Sequence, residues 1–168
     1  MRIELDDLNK PEVLALLEEH LENMHELSPA DQVFAFDASK LREPGVSFWT
    51  AWEGETLLGC AALKELSPTQ GEIKSMRTPA RRRRQGAGRE LLEHIVQVSR
   101  ERGYQELFLE TGRHEAFTPA HALYRSAGFR ECGPFGSYVE NGNSVFMCLQ
   151  LGGHAPSLSA LTGPAPAT

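Results

Sequence analysis

Arg83-Arg84-Gln85-Gly86-Ala87-Gly88 is the segment that most restricts how this chain can fold. Upstream, Glu72 to Thr78 reads as a strand closed by Pro79, which cannot donate a ladder hydrogen bond. Downstream, Leu91, Leu92, Ile95 and Val96 recur at helical spacing and predict a long helix from about Gly86 to Arg102, stopped at Gly103. Glycines at this strand-to-helix corner leave the backbone bare, so a ligand can approach the unpaired N–H groups of the first helical turn. Those groups and the helix dipole suit an anion such as phosphate, and arginines just upstream can add charge-assisted bonds. No Lys-Ser/Thr pair follows the glycines, and the third glycine of a dinucleotide fingerprint is missing, so the spacing is wrong for other phosphate loops.

The charge distribution points to the same segment. The formal net charge is −6, yet Glu72 to Arg89 holds seven of the seventeen bases and only one of the twenty-three acids. An acidic chain with one compact basic stretch suggests a local anion site and attraction for cations elsewhere. The overall acidity, and the absence of aromatics interleaved with the arginines, argue against nucleic acid as a partner.

The rest of the chain supplies strands and helices around that corner. Arg2 to Leu5 is a short edge-strand candidate, and Asn9-Lys10-Pro11-Glu12 opens a helix carrying Val13, Leu14, Leu16, Leu17, Leu21 and Met24. A short second helix is expected around Ala30 to Phe36. Val46 to Trp52 and Leu57 to Leu66 form a hairpin across Glu53-Gly54, and a second turn leads into Glu72 to Thr78. Leu107 to Thr111 reads as a buried strand, Thr118-Pro119 starts a helix ended by Gly128, and Phe129 to Cys132 and Ser144 to Leu151 are the last strands. The expected class is α/β or α+β, one domain over 1–151 built on a mixed sheet flanked by helices. Residues 152–168, with three glycines, three prolines, four alanines and no formally charged side chain, read as a flexible tail.

No apolar run approaches the roughly 20 residues that span a bilayer, and acids stand where a signal peptide needs an apolar centre, so no membrane partner is expected. Cys60, Cys132 and Cys148 form no CxxC pair and fit a reducing cytoplasm. Cys132 and Cys148 read as buried strand residues rather than nucleophiles. The six histidines, His20 and His25 among them, show no metal-ligand spacing, so no metal is expected. Trp49 and Trp52 face opposite sides of one strand, which puts at least one of them in the core.

Three ordered motifs resemble the GCN5-related N-acetyltransferase (GNAT) superfamily. Its signature, Arg/Gln-x-x-Gly-x-Gly/Ala, is matched by Arg83-Arg84-Gln85-Gly86-Ala87-Gly88. The strand Glu72 to Thr78 looks like the family's fourth, and Ala120-His121-Ala122-Leu123-Tyr124-Arg125-Ser126-Ala127-Gly128-Phe129 is similar to its A-x-x-L-Y-x-x-x-G-F segment. The resemblance implies a mostly antiparallel sheet whose fourth and fifth strands splay to admit acetyl-CoA. It implies that the backbone of Met76, Arg77 and Thr78 pairs with pantetheine and that Arg83, Arg84, Gln85, Gly86, Ala87, Gly88 and Arg89 wrap the diphosphate. Tyr124 would lie near the thioester sulfur. Phe117 stands where the family often has an asparagine that contacts the cofactor. A homodimer is compatible with the family.

The implied reaction is direct acetyl transfer to a primary amine in a ternary complex. A protonated amine, with a pKa on the order of 10, must lose its proton before it attacks. Glu72 is the candidate base, with Glu110 as a substitute; Tyr124 is the candidate acid for the leaving thiolate, and the Met76 N–H could steady the developing oxyanion. His114 and His121 flank the expected cleft and read as surface residues. The acid surplus outside the basic segment favours a cationic acceptor, a small molecule or a peptide. A non-catalytic CoA-binding or sensing module of the same fold is the alternative.

Overall fold

A computed structural model describes residues 1–27, 38–79 and 86–152, the side chains of residues 20–27 excepted. The helix expected over Ala30 to Phe36, the run Arg81 to Gln85, residues 153–168 of the expected tail and the side chains of His20 and His25 lie outside the described residues.

The elements are β1 (Arg2–Leu5), α1 (Pro11–Leu27), α2 (Ala38–Leu41), β2 (Val46–Glu53), β3 (Thr56–Ser67), β4 (Gln70–Arg77), α3 (Ala87–Glu101), β5 (Glu106–Gly112), a 3-10 turn (Glu115–Phe117), α4 (Thr118–Ser126), β6 (Arg130–Cys132) and β7 (Ser144–Gln150). Among the described residues, seven strands form one sheet in the order β1-β2-β3-β4-β5-β7-β6. Every neighbouring pair is antiparallel except β4 and β5, which run parallel and are joined through α3. The mixed, mostly antiparallel sheet expected from the sequence is the one observed. None of the described helices is long and apolar enough to cross a membrane.

Local chemistry explains the main boundaries. The β2–β3 hairpin turns at Gly54, whose φ of 59° lies in the left-handed region where glycine carries no steric penalty. Helix α3 ends before Gly103, with φ 84°, while the N–H groups of Gly103 and Tyr104 bond the carbonyls of Arg100 and Ser99.

Each sheet face carries its own apolar layer. Leu91, Leu92, Ile95 and Val96 of α3 pack with Trp49, Leu58, Leu63, Ile73, Leu107, Leu109 and Tyr124 on one face. On the other, Val13, Leu16 and Leu17 of α1 pack with Phe48, Trp52, Leu57, Cys60 and Ala62. Both tryptophans are therefore buried, one on each face, because both faces of β2 are covered.

Candidate active site

The parallel pairing of β4 and β5 runs through four residue pairs, from Gln70↔Glu106 to Ile73↔Leu109, and stops. From Lys74 onward β4 is registered with β3 and no longer with β5. The two strands form a fork.

A bulge sits at the branch of this fork. The β3–β4 register passes from Ala62↔Lys74 to Cys60↔Arg77, so Ser75 and Met76 together oppose Ala61. Ser75 adopts φ 53°, a left-handed conformation that costs a non-glycine residue about 1–3 kcal/mol. Its hydroxyl is buried and has no hydrogen-bond partner among the described residues, a further penalty of about 1–3 kcal/mol. Met76 leans on the α3-side core. The Arg77 guanidinium turns to α1, where Nη2 donates to Glu19 Oε1 at 2.9 Å. Thr78 faces the first turn of α3, its Oγ1 3.9 Å from where a Cβ on Gly88 would stand.

That first turn is open. Gly86 is the N-cap of α3 with φ 86°, and a Cβ placed there would meet no heavy atom within 4 Å. The first helical bond runs from Glu90 N–H to the Gly86 carbonyl, leaving the N–H groups of Ala87, Gly88 and Arg89 without intrahelical acceptors. A Cβ on Gly88 would come within 3.3 Å of Leu123 on α4, so this glycine lets the two helices approach. Of the segment expected to wrap a diphosphate, Gly86 to Arg89 take these positions; Arg83, Arg84 and Gln85 are outside the described residues.

The α1 side of the fork holds a buried polar cluster. Glu72 and Lys74, two residues apart on β4, share a face. Their side chains are only 4% and 6% exposed and pair at 3.1 Å. Tyr138, from the β6–β7 connection, completes a triangle: Lys74 Nζ lies 2.7 Å from its Oη, and Oη donates to Glu72 Oε2 at 2.7 Å. Phe135 and Phe146 wedge the Tyr138 ring in place, and Phe135 stacks on Phe108 of β5. Burial drives the Lys74 ammonium below its ordinary value, against the opposing pull of Glu72. Burial, then the charge of Glu72, drives the Tyr138 phenol up.

Glu110, on β5 just beyond the last β4–β5 pair, faces the same cluster. Burial raises its carboxyl above the usual carboxylate range, opposed first by a Ser144 hydrogen bond and then by Lys74. Ser144 Oγ donates to Glu110 Oε2 at 2.7 Å and itself accepts from Asn141 Nδ2 at 3.2 Å. Glu110 Oε1 carries no hydrogen bond among the described residues. From the other face, Tyr124 is buried, and desolvation followed by the charge of Glu110 pushes its phenol up to about 12. Glu72 and Glu110 thus share the α1 side of the fork, while Tyr124 is buried in the α3-side core.

Where β5 passes into α4, Phe117 lies against bare backbone: a Cβ on Gly112 would fall 2.2 Å from its ring. His121 Nε2 is 2.8 Å from the Gly112 carbonyl, and His114 Nδ1 accepts from Ala116 N–H. Both histidines, expected as plain surface, are fastened to local backbone. Burial pushes the Cys60 and Cys132 thiols up to about 12, away from nucleophilic chemistry, although Cys132 is only half-buried.

Lys74, Ser75, Tyr138 and Ser144 are not singled out by sequence reasoning. Tyr138 lies 66 residues from Glu72 along the chain, and no local spacing marks such a pair. The aromatic Phe135 in a glycine- and proline-containing loop is the one weak signal that this connection packs rather than trails.

Comparison with known proteins agrees with this geometry. The model of the Acetyltransferase (GNAT) family matches residues 12–129. The chain is 48% identical over 151 residues to the uncharacterized N-acetyltransferase YsnE of Bacillus subtilis, covering 90% of this chain and 100% of that one. It is 44% identical over 149 residues to the uncharacterized N-acetyltransferase YedL of Escherichia coli, covering 89% and 94%. The crystal structure of a Klebsiella pneumoniae protein described as an acyl-CoA N-acyltransferase superposes with a TM-score of 0.71 at 26% identity, over 89% of this chain and 97% of that one.

Proposed function

Because this chain belongs to the GNAT family of acetyltransferases, we propose that it transfers an acetyl group from acetyl-CoA to a primary amine, by direct attack with both substrates bound. The observation that carries the reading is the fork: β4 loses its β5 partner after Ile73, close to the open N-terminus of a 15-residue helix. An acyl-CoA fits the groups present. The β4 edge beyond its last β5 pair suits an extended amide-bearing arm, the N–H groups of Ala87 to Arg89 suit a diphosphate, and Ser75 has a buried hydroxyl with no partner among the described residues. Acetyl-CoA, when bound, supplies the acetyl group as an activated thioester.

The protein's own groups then have distinct work. Glu110 takes the proton from the acceptor amine, ahead of Glu72, the first candidate from the sequence. Its Oε1 is free of hydrogen bonds among the described residues, and burial raises its carboxyl above its ordinary value, which makes it a stronger base than an exposed carboxylate. Glu72 is instead committed to Lys74 and Tyr138, which brace the cleft wall. The N–H of Met76 remains the donor proposed for the developing negative charge. Tyr124, with a phenol near 12, is roughly a thousandfold weaker as an acid than an ordinary thiol, so it donates a hydrogen bond to the departing sulfur without surrendering its proton. Tyr124→Phe is expected to lower kcat about 10–100-fold with little change in the KM for acetyl-CoA, as read by steady-state thiol release. The acid surplus outside the basic segment favours a cationic acceptor, small molecule or peptide.

Two matched variants test the donor site. Asn and Asp both tolerate the left-handed conformation of residue 86, but only Asp brings negative charge to the helix N-terminus. Gly86→Asp is expected to bind acetyl-CoA roughly tenfold more weakly than Gly86→Asn by calorimetry. Equal affinities would remove the diphosphate from this corner. Thiol release across an amine panel tests turnover, and intact binding with no release from any amine would favour the non-catalytic CoA-binding alternative.

A further inference from the structure

Ser75 sits at the β4 bulge beside the buried polar cluster of the fork. Lys74, Glu72 and Tyr138 bond one another and Ser144 bonds Glu110, whereas the Ser75 hydroxyl is buried with no partner among the described residues. The residue is 9% exposed, so water reaches it poorly. Its backbone is also held left-handed at the bulge, where glycine would be relaxed, while its carbonyl accepts a hydrogen bond from Cys60 Sγ at 3.4 Å. A hydroxyl gives nothing to the free protein at such a position. Two penalties at one residue, where two strands separate, mark a group whose partner arrives with a ligand.

We propose that the Ser75 hydroxyl is a hydrogen-bond contact for the amide-bearing arm of an acyl thioester lying in the fork. A hydroxyl can donate to a carbonyl of that arm or accept from its N–H. Across the fork, Phe117 stands where the resembled family often has asparagine, and its ring, laid on Gly112, offers no polar group. Ser75 supplies from β4 a contact that Phe117 cannot make from the β5–α4 connection. This inference rests on the acyl-CoA reading of the site.

The test uses the full chain, Ser75→Ala, and two probes: acetyl-CoA and adenosine 3′,5′-bisphosphate, which lacks the arm and the phosphate that joins it. The free Ser75→Ala protein should melt about 2–4 °C above wild type, because an unsatisfied buried hydroxyl is gone. Its calorimetric affinity for acetyl-CoA should fall about 2–10-fold, with affinity for the bisphosphate unchanged. Ser75→Gly, which also relaxes the backbone, should show the same selective loss. Unchanged acetyl-CoA affinity in both variants overturns the assignment. So does a destabilised Ser75→Ala protein that loses both probes alike, since Ser75 would then be structural. A wild-type protein that takes up no acetyl-CoA overturns the proposed function itself, a result distinguishable from either.

Discussion

Glu110→Gln is expected to lower kcat by about 10²–10⁴-fold, the usual contribution of a positioned general base. The substitution preserves shape and leaves a carbonyl oxygen to accept from Ser144, so the cluster keeps its geometry while losing the group that takes the proton. Stability supplies the control. Burial raises the carboxyl of Glu110 in the folded protein above its unfolded value, so folding is favoured while the group is protonated. That contribution is full below the unfolded-state value and is lost as pH rises through the folded one. At a pH above the folded value the wild type has lost it, and the glutamine variant, which never ionises, should be at least as stable there. A large kcat loss in a protein with an unchanged urea midpoint therefore reports chemistry. In the wild type, kcat/KM should fall as pH drops through a value above the ordinary carboxylate range, and this limb should vanish in Glu110→Gln once the amine's own titration is subtracted. A variant with wild-type turnover would return the base role to Glu72 or to water.

Lys74→Met is expected to destabilise the fold by about 3–5 kcal/mol, because it leaves the Glu72 carboxylate buried without its cation. The Tyr138 hydroxyl remains as a donor, but one neutral hydrogen bond does not replace an ammonium at 3.1 Å. Removing both charges, in Glu72→Gln with Lys74→Met, should recover most of that loss, since the desolvation penalty of a buried pair consumes most of its Coulombic gain. Urea unfolding at constant m-value distinguishes the two cases. A single variant within about 1 kcal/mol of wild type would mean that Lys74 does not pin Glu72 and Tyr138 as described.

Much of the fold could be anticipated, for an identifiable reason. The glycine corner, the helical period of Leu91, Leu92, Ile95 and Val96, the stop at Gly103 and the Glu53-Gly54 turn all depend on residues within a few positions of one another. The structure follows them closely, with α3 running Ala87–Glu101 and the hairpin register closing at Glu53↔Thr56. The helix carrying Tyr124 could be anticipated because its Thr118-Pro119 start and Gly128 stop lie in one contiguous segment. The division of work between Glu72 and Glu110 could not: both are acids on neighbouring strands, and they differ through Lys74 and Tyr138 on one and Ser144 on the other.

By itself the sequence determined where strands and helices begin and end, and which corner exposes helical N–H groups, since local sterics and hydrogen bonding decide those matters. The tertiary structure alone decided that β4 and β5 part after Ile73, that Tyr138 reaches Glu72 across 66 residues, and that left-handed Ser75 holds a hydroxyl with no partner among the described residues. Burial, and the pairing of charges within it, depends on which distant segments pack together, and no short-range pattern along a chain encodes that.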